Sequence, residues 1–248
     1  MVYLRSVLFY LGMMVITLVH NLFIPFLYLL PLNHFQRYAY LVQWSRLVMI
    51  WLRVSCGLSY RVIGKENIPD GPAIILAKHQ SAWETIALQQ VFPPQTWVLK
   101  RELLNIPVFG WSLRTTKPVA INRGSAKEAL RQVLEQGTAR LKEGLWLVIF
   151  PEGTRTLPGV RGRYAIGGAM LAERSGYPVV PVAHNAGEFW KANGFLKYPG
   201  VITVVIGPVI DPTNHKASDI NRQVEEWIEN TMTQITTLKV NAGNLATS

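Results

Sequence analysis

The sequence predicts an α/β fold, in which a mostly parallel sheet flanked by helices follows a two-helix membrane segment. Two observations favour this fold. From about residue 58 onward, short apolar runs alternate with longer stretches that carry apolar residues at helical spacing, which is typical of parallel sheets covered on both faces. Residues 6–30, by contrast, contain no Asp, Glu, Lys or Arg. The 248 residues suffice for one large domain with such an appendage.

Residues 1–55 are predicted to form a membrane-anchoring helical hairpin. The uncharged stretch Ser6–Leu30 is long enough to cross a hydrocarbon core of ~30 Å, although its polar residues and its proline also favour a bent or re-entrant helix. Phe35–Val54 has the pattern of a helix that lies in the membrane interface, with Trp44 and Trp51 at headgroup depth. A signal peptide fits poorly because the apolar segment is too long. A helical hairpin buried within a soluble protein is the remaining alternative.

Residues 58–240 are predicted to form the α/β domain, and residues 241–248 a small, polar and disordered tail. The predicted strands are Tyr60–Ile63, Ala73–Ala77, Thr96–Leu99, Val119–Ile121, Leu145–Phe150, Val179–Ala183 and Val201–Ile206. The predicted helices are Ala82–Val91, Ser125–Glu143, Ile166–Ser175 and Ser218–Leu238. Ser125 and Glu128 form a capping box at the start of the second of these helices.

The composition favours a membrane partner. Apolar residues make up 49% of the chain and charged residues 16%, and the net charge is +10. An apolar excess combined with basic charge is typical of proteins at an anionic membrane surface. No nucleic-acid partner is expected, because no nucleic-acid motif is present. The single Cys56 excludes an internal disulfide, and the five scattered histidines predict no metal site.

The most informative motif is the segment Lys78–Thr85, which reads K-H-Q-S-A-W-E-T. His79 lies where a predicted strand turns into a predicted helix, and Glu84 follows five positions later. A neutral imidazole with a carboxylate in reach is a general base with an orienting partner. The same residues have a purely structural interpretation, in which Ser81 caps the helix and Glu84 reaches back to the amide of the capping residue. The two interpretations are compatible with each other.

A second motif, Phe150–Thr156, reads F-P-E-G-T-R-T and follows a predicted buried strand. Ligands bind at the carboxyl ends of strands in open α/β sheets. Glu152 can accept hydrogen bonds from substrate hydroxyls, Gly153 allows close backbone approach, and Arg155 can bind a phosphate or carboxylate through two hydrogen bonds. A β-turn with a surface ion pair is the structural alternative.

Further cations follow two other predicted strands. Lys100 and Arg101 begin the segment K-R-E-L-L-N-I-P-V-F-G, and Arg123 follows the strand Val119–Ile121. These cations and Arg155 are candidates to converge on one anion, although for the K-R-E segment taken alone a solvated charged face is favoured. A fourth segment, V-P-V-A-H-N-A-G, contains His184, for which a buried core position is favoured over a catalytic role.

Together and in this order, the segments resemble the glycerolipid acyltransferases, most closely the 1-acylglycerol-3-phosphate acyltransferases. Members of that family carry H-x4-D, K-x-E-L-x-x-x-P-x-x-G, F-P-E-G-T-R-S/T and a V-P-V strand in this order. The resemblance covers roughly residues 58–208. Glu84 stands where the family usually has Asp, and Asn122 replaces an aspartate often found before Arg123.

The resemblance implies a membrane-bound enzyme that transfers a fatty acyl group from a thioester to the 2-hydroxyl of 1-acylglycerol 3-phosphate, giving phosphatidate. It implies His79 as general base and Glu84 as its partner. It assigns binding of the acceptor's phosphate and glycerol to Lys100, Arg101, Arg123, Glu152, Gly153, Thr154 and Arg155. The expected partners are the lipid bilayer, a lysophospholipid acceptor, and acyl-CoA or acyl-carrier protein as donor substrate, with no cofactor.

The resemblance also implies a location in the bacterial inner membrane, with the catalytic domain on the cytoplasmic side. Alternatives are the same chemistry on another lysolipid, such as a lyso-ornithine lipid, and a non-catalytic lipid-binding member of the fold. A serine hydrolase is disfavoured because the sequence lacks a G-x-S-x-G motif.

Overall fold

The computed structural model describes residues 1–92, 94–106, 109–122 and 124–237. The helices are α1 (Val2–Leu22), α2 (Ile24–Leu29), α3 (His34–Cys56), α4 (Trp83–Ala87), α5 (Phe109–Thr115), α6 (Ala126–Lys142), α7 (Gly167–Ser175), α8 (Ala186–Phe189) and α9 (Ala217–Ile235). The strands are β1 (Leu58–Ile63), β2 (Ile74–Ala77), β3 (Gln95–Lys100), β4 (Val119–Ile121), β5 (Trp146–Ile149), β6 (Val179–His184) and β7 (Gly200–Ile206). The predicted tail, residues 241–248, lies outside the described residues.

The strands form one sheet in the order β1-β7-β6-β2-β5-β3-β4. Neighbouring strands are parallel except for β6 and β7, which are antiparallel. The predicted mostly parallel sheet is therefore confirmed, and each predicted strand is present within two residues of its predicted bounds. Strands β2, β3, β4, β5 and β6 end at the same edge, so the segments that follow them are brought together there.

Apolar side chains pack on both faces of this sheet. On β2, Ile75 and Ala77 belong to one buried cluster, whereas Ile74 and Leu76 belong to another, as the alternation of side chains along a strand requires. Helices α6, α7 and α9 cover the face of Ile74. The face of Ile75 is covered by α4 and by the N-terminal helices, from which Phe9 and Leu52 are completely buried.

The N-terminal helices pack tightly against each other. Helix α1 ends at Leu22, and α2 follows after Phe23 with a proline in its first turn, where the missing N–H costs nothing. The stretch Val2–Leu29 is long and apolar enough to cross a membrane. That Trp44 and Trp51 lie at headgroup depth stays a prediction, but both rings bond to the neighbouring helix. Trp44 Nε1 donates to Thr17 Oγ1 at 3.0 Å, and Trp51 Nε1 donates to the carbonyls of Leu8 and Phe9, so both tryptophans face α1.

One predicted helix of the α/β region is shorter than expected. The pattern predicts a helix over Ala82–Val91, but the α-helix ends at Ala87 and continues only as the 3-10 turn Leu88–Gln90. The last helix ends at Ile235, three residues before its predicted end, which lies outside the described residues.

Candidate active site

His79 lies in the turn between β2 and α4, as its position in the sequence predicts. Its Nδ1 is 2.8 Å from Oε1 of Glu84, and its side chain is 14% exposed. The ring stacks on Phe150 with 4.0 Å between ring centroids and 14° between the planes. A carboxylate only accepts hydrogen bonds, so the Nδ1–H donates to Glu84, and in the neutral imidazole Nε2 carries the lone pair. Because His79 also lines a large cavity, this arrangement can serve a general base at the cavity wall.

The hydrogen bonds of the Glu84 carboxylate agree with both interpretations of its motif, as the partner of His79 and as a structural element of the turn before α4. Its Oε1 accepts from His79 Nδ1 and from the backbone N–H groups of Gln80 and Ser81, each at 2.8 Å. Ser81 Oγ in turn accepts from the N–H of Trp83 at the start of α4. The Glu84 side chain, one methylene longer than that of Asp, thus reaches His79 and also bonds the backbone of the turn that leads into α4.

Burial raises the pKa of the Glu84 carboxyl, but attraction to His184 and the hydrogen bonds from His79 and Ser81 outweigh it, so the pKa lies below its usual range. Burial lowers the pKa of His184, whose Nε2–H donates to the carbonyl of Lys78 at 2.7 Å and whose Nδ1 accepts from the N–H of Ala186. His184 is therefore a core histidine with both ring nitrogens bonded, and Glu84 is kept ionised by its attraction to His184 together with its hydrogen-bond donors.

The cavity at His79 has a volume of about 1070 Å³ and is mostly apolar. Apolar side chains from the helices and strands around it form most of its wall: Trp44, Ile86, Trp97, Leu99, Leu103, Leu113, Ile121, Leu130 and Val133. Trp44 belongs to α3, so the N-terminal helices contribute directly to the site. A long apolar chain fits such a wall better than a polar substrate does.

Several of the predicted binding residues line this cavity. Lys100, Gly153, Thr154 and Arg155 are among its lining residues, and Arg155 Nη1 donates to the carbonyl of Ala192 at 3.2 Å. Arg101 is exposed in the 3-10 turn Arg101–Asn105 that follows β3. The prediction for Arg123 falls outside the described residues.

Glu152 has a different environment from its neighbours. Pro151 and Gly153 line the cavity, whereas the Glu152 side chain is fully buried and bonded to protein groups. Its Oε1 accepts from Lys78 Nζ at 2.7 Å, and its Oε2 accepts from the N–H of His79 at 2.8 Å. Its predicted role in binding the acceptor's glycerol stays a prediction.

The comparisons with known proteins decide the family. The sequence model of the acyltransferase family matches residues 59–185. A 1-acyl-sn-glycerol-3-phosphate acyltransferase of Pseudomonas aeruginosa is 45% identical to this chain over 241 residues, which cover 95% of this chain and 93% of that protein. This chain belongs to the acyltransferase family.

More distant similarities extend the comparison. This chain is 31% identical to the 1-acyl-sn-glycerol-3-phosphate acyltransferase of Saccharomyces cerevisiae over 156 residues. The aligned residues cover 58% of this chain and 49% of the yeast protein. The crystal structure of the 1-acyl-sn-glycerophosphate acyltransferase PlsC from Thermotoga maritima has the same fold, with a TM-score of 0.78 at 24% identity. The match covers 95% of this chain and 96% of that one, so the shared fold includes the N-terminal helices.

Three features of the site were not predicted from the sequence motifs. Arg163 lines the cavity although it lies outside the motifs, and Phe150 supports the His79 ring by stacking. Lys78 is almost completely buried and bonds two carboxylates, from Glu152 and Glu229. A lysine directly after a buried strand was the one available signal for Lys78, since a charged side chain at that point needs a buried partner.

Proposed function

We propose that the protein transfers a fatty acyl group from an acyl thioester to the 2-hydroxyl of 1-acylglycerol 3-phosphate and so forms phosphatidate for phospholipid synthesis. The observation that carries the proposal is the His79–Glu84 pair at the wall of a large apolar cavity. The Pseudomonas relative that matches nearly the whole chain is a 1-acyl-sn-glycerol-3-phosphate acyltransferase, which supports the same reaction.

In the proposed mechanism, His79 Nε2 takes the proton of the acceptor hydroxyl as its oxygen attacks the thioester carbonyl. A bond forms between that oxygen and the acyl carbon, the carbon–sulfur bond breaks, and His79 returns the proton to the leaving thiolate. Glu84 holds the proton on Nδ1 and stabilises the imidazolium that forms between the two steps. The acceptor's own hydroxyl is the nucleophile, so no acyl-enzyme is needed.

The acceptor's phosphate would bind the cations at the cavity wall. Lys100, Arg155 and Arg163 line the same cavity as His79, and Gly153 and Thr154 lie beside Arg155. An arginine binds phosphate through charge-assisted and often paired hydrogen bonds. Arg101 and Arg123 are further candidates, because both follow strands that end at this edge of the sheet.

The apolar wall of the cavity would hold a fatty acyl chain. The donor is acyl-CoA or acyl-carrier protein, and it is a substrate rather than a resident cofactor. Both carriers are anionic, which suits a chain with a net charge of +10. No metal ion takes part in the proposed reaction.

The N-terminal helices would hold the enzyme in the bilayer, with the site at headgroup depth. The outer side of α1 and α2 is exposed and apolar, as in Leu18 at 58%, Leu22 at 66% and Leu29 at 79% exposure. Such a surface is stable in lipid and costly in water. We place the protein in the bacterial inner membrane with the catalytic domain on the cytoplasmic side, where acyl thioesters are available.

The test is an assay of the purified full-length protein with one acyl thioester and a panel of lysolipids. The panel contains 1-acylglycerol 3-phosphate, a lysophospholipid with a larger headgroup, a lyso-ornithine lipid and monoacylglycerol. We expect phosphatidate from the first acceptor at a far higher kcat/KM than any product from the others. Preferred acylation of another lysolipid would replace the proposed acceptor, and no transfer to any acceptor would favour a lipid-binding role.

A further inference from the structure

We propose that Lys78, Glu152 and Glu229 are positioning residues that fix the main chain of His79, and that Glu152 acts from behind the active site rather than by binding the acceptor. The inference rests on the proposed function in so far as His79 is its general base. It is carried by hydrogen bonds to each polar main-chain group around His79 and by the burial of the three charged side chains.

The main chain around His79 is held from three sides. The carbonyl of Lys78 accepts from His184 Nε2 at 2.7 Å, and the N–H of His79 donates to Glu152 Oε2 at 2.8 Å. The carbonyl of His79 accepts from the N–H of Thr156 at 2.8 Å. The peptide group that places the imidazole is therefore bonded at both of its polar ends, which limits the rotation that would move Nε2 away from the cavity.

Lys78 holds the Glu152 carboxylate in this arrangement. Its Nζ donates to Glu152 Oε1 at 2.7 Å and to Glu229 Oε1 at 2.9 Å. The side chains of Lys78 and Glu152 are 1% and 0% exposed, and that of Glu229 is 17% exposed. A charge removed from water to this extent is stable only with its partners in place, so loss of one partner displaces the others.

The hydrogen bonds of the two Glu152 oxygens argue against a direct contact with the acceptor. One oxygen is bonded to the His79 amide and the other to Lys78, with Thr156 Oγ1 at 3.1 Å from the latter oxygen. Both oxygens thus serve the protein itself. Because the Glu152 side chain is 0% exposed, an acceptor hydroxyl would have to open this buried cluster in order to bind.

Glu229 extends this support to the last helix of the chain. It lies on α9 and also accepts from the hydroxyl of Tyr164 at 2.8 Å. Through Lys78 and Glu152 it is linked to the main chain of His79. A change at Glu229 should therefore alter the rate of the chemical step and leave the affinity for the acceptor unchanged.

The first test measures steady-state kinetics of full-length variants in detergent with 1-acylglycerol 3-phosphate as the varied substrate. We expect Glu229→Gln to lower kcat about 10-fold and Glu152→Gln about 100-fold, because a small displacement of a catalytic group has effects of this size. The KM for the acceptor should stay within about twofold of wild type in both, since the positioning residues leave substrate binding unchanged. Glu225→Gln is the matched control on the same helix, because Glu225 pairs with Arg161 on the surface, and it should leave kcat unchanged.

The second test measures the NMR signal of the His79 backbone amide and needs no turnover. The protein has five histidines, so labelling histidine with nitrogen-15 gives five backbone amide signals at most, and His79→Ala identifies the one from His79. Glu152→Gln and Glu229→Gln should shift that signal and speed its exchange with water, whereas the signal of His20 in α1 should not move. Thermal melting of each variant separates these local changes from loss of the fold.

The outcomes separate this inference from the proposed function. An unmoved His79 amide in both variants, or a Glu152→Gln variant with raised acceptor KM and unchanged kcat, would overturn the positioning role. Failure of wild-type protein to acylate any lysolipid would overturn the proposed function alone, because the amide measurement needs no substrate.

Discussion

The N-terminal helices and the α/β region use their exposed surfaces in opposite ways. On α6, the outer side carries charged residues, and Arg131 pairs there with Glu128 and Glu135. On α1, the outer side carries exposed leucines such as Leu11 and Leu18. An outer surface made of ion pairs is stable in water, whereas an exposed surface made of leucines is more stable in lipid.

The two regions nevertheless share one hydrophobic core and one site. Phe9 and Leu52 of the N-terminal helices are completely buried against the sheet, and Trp44 lines the cavity that contains His79. The change in composition near residue 57 is therefore not a boundary in packing. A helix pair that is fixed to the sheet in this way can set the depth of the catalytic site in a membrane.

The largest effect should come from the catalytic pair in the α/β region. We expect His79→Ala to lower kcat by about 10²–10⁴-fold with the fold intact, because it removes the general base. Glu84→Gln should also be severely impaired, whereas Glu84→Asp should keep measurable activity. Ser81→Ala is the control, since it removes the hydrogen bond to the Trp83 amide and leaves the pair in place. Near-normal turnover of Glu84→Gln with only a lower melting temperature would assign Glu84 to helix capping alone.

Matched leucine substitutions should separate the two sides of the N-terminal helices. Leu52→Ala should destabilise the protein by about 2–5 kcal/mol, because Leu52 is completely buried. Leu18→Ala should cost about 0.5 kcal/mol or less in detergent, because Leu18 is 58% exposed. Chemical denaturation of both variants in the same detergent measures the difference. Equal losses would show that the outer side of α1 is also covered by protein.

A charge on the same outer side should test its contact with lipid. Leu18→Asp should reduce salt-resistant flotation with liposomes, because an acidic residue near the centre of a membrane helix costs about 3 kcal/mol. Asn230→Asp adds the same charge at an exposed position of α9; it is the control and should leave flotation unchanged. Unchanged flotation of Leu18→Asp would move the membrane contact to another surface.

Arg155→Ala should impair transfer to an acceptor that carries a phosphate and spare transfer to one that does not. Transfer to 1-acylglycerol 3-phosphate should fall about 10- to 100-fold, the effect of losing hydrogen bonds to a charged group, and transfer to monoacylglycerol should change little. Arg155→Lys should restore only part of the loss, because lysine lacks the paired geometry of the guanidinium group. Equal losses on both acceptors would remove Arg155 from phosphate recognition.

The smallest expected effect is a pH dependence of stability at Glu84. Its pKa in the folded protein lies below the ordinary value of 4.5, so the ionised carboxylate stabilises the fold above that pH, and this stabilisation is lost as the pH falls through the lower folded value. The gap in melting temperature between wild type and Glu84→Gln should therefore be constant near neutral pH and shrink in acid. A gap that grows in acid would contradict the assigned direction of the shift.

The sheet and the contact between His79 and Glu84 could be predicted from the sequence because they depend on local patterns. Apolar runs located the strands, and the spacing of His79 and Glu84 put both at one turn. The inward orientation of Glu152 and the partners of Lys78 could not be predicted, because Glu229 lies 151 residues from Lys78 in the sequence and meets it only in the folded chain. The contact of Trp44 with α1 could not be predicted either, because an amphipathic pattern does not say whether lipid or another helix covers a tryptophan.

The most direct test of the proposed mechanism is the intact mass of the purified protein after incubation with an acyl thioester, before and after addition of 1-acylglycerol 3-phosphate. If the acceptor hydroxyl attacks the thioester directly with His79 as base, the protein mass stays unchanged at both stages and phosphatidate appears only after the acceptor is added. A protein mass raised by one acyl group, which disappears on addition of the acceptor and is absent from Ser81→Ala, would contradict direct transfer and make Ser81 the nucleophile.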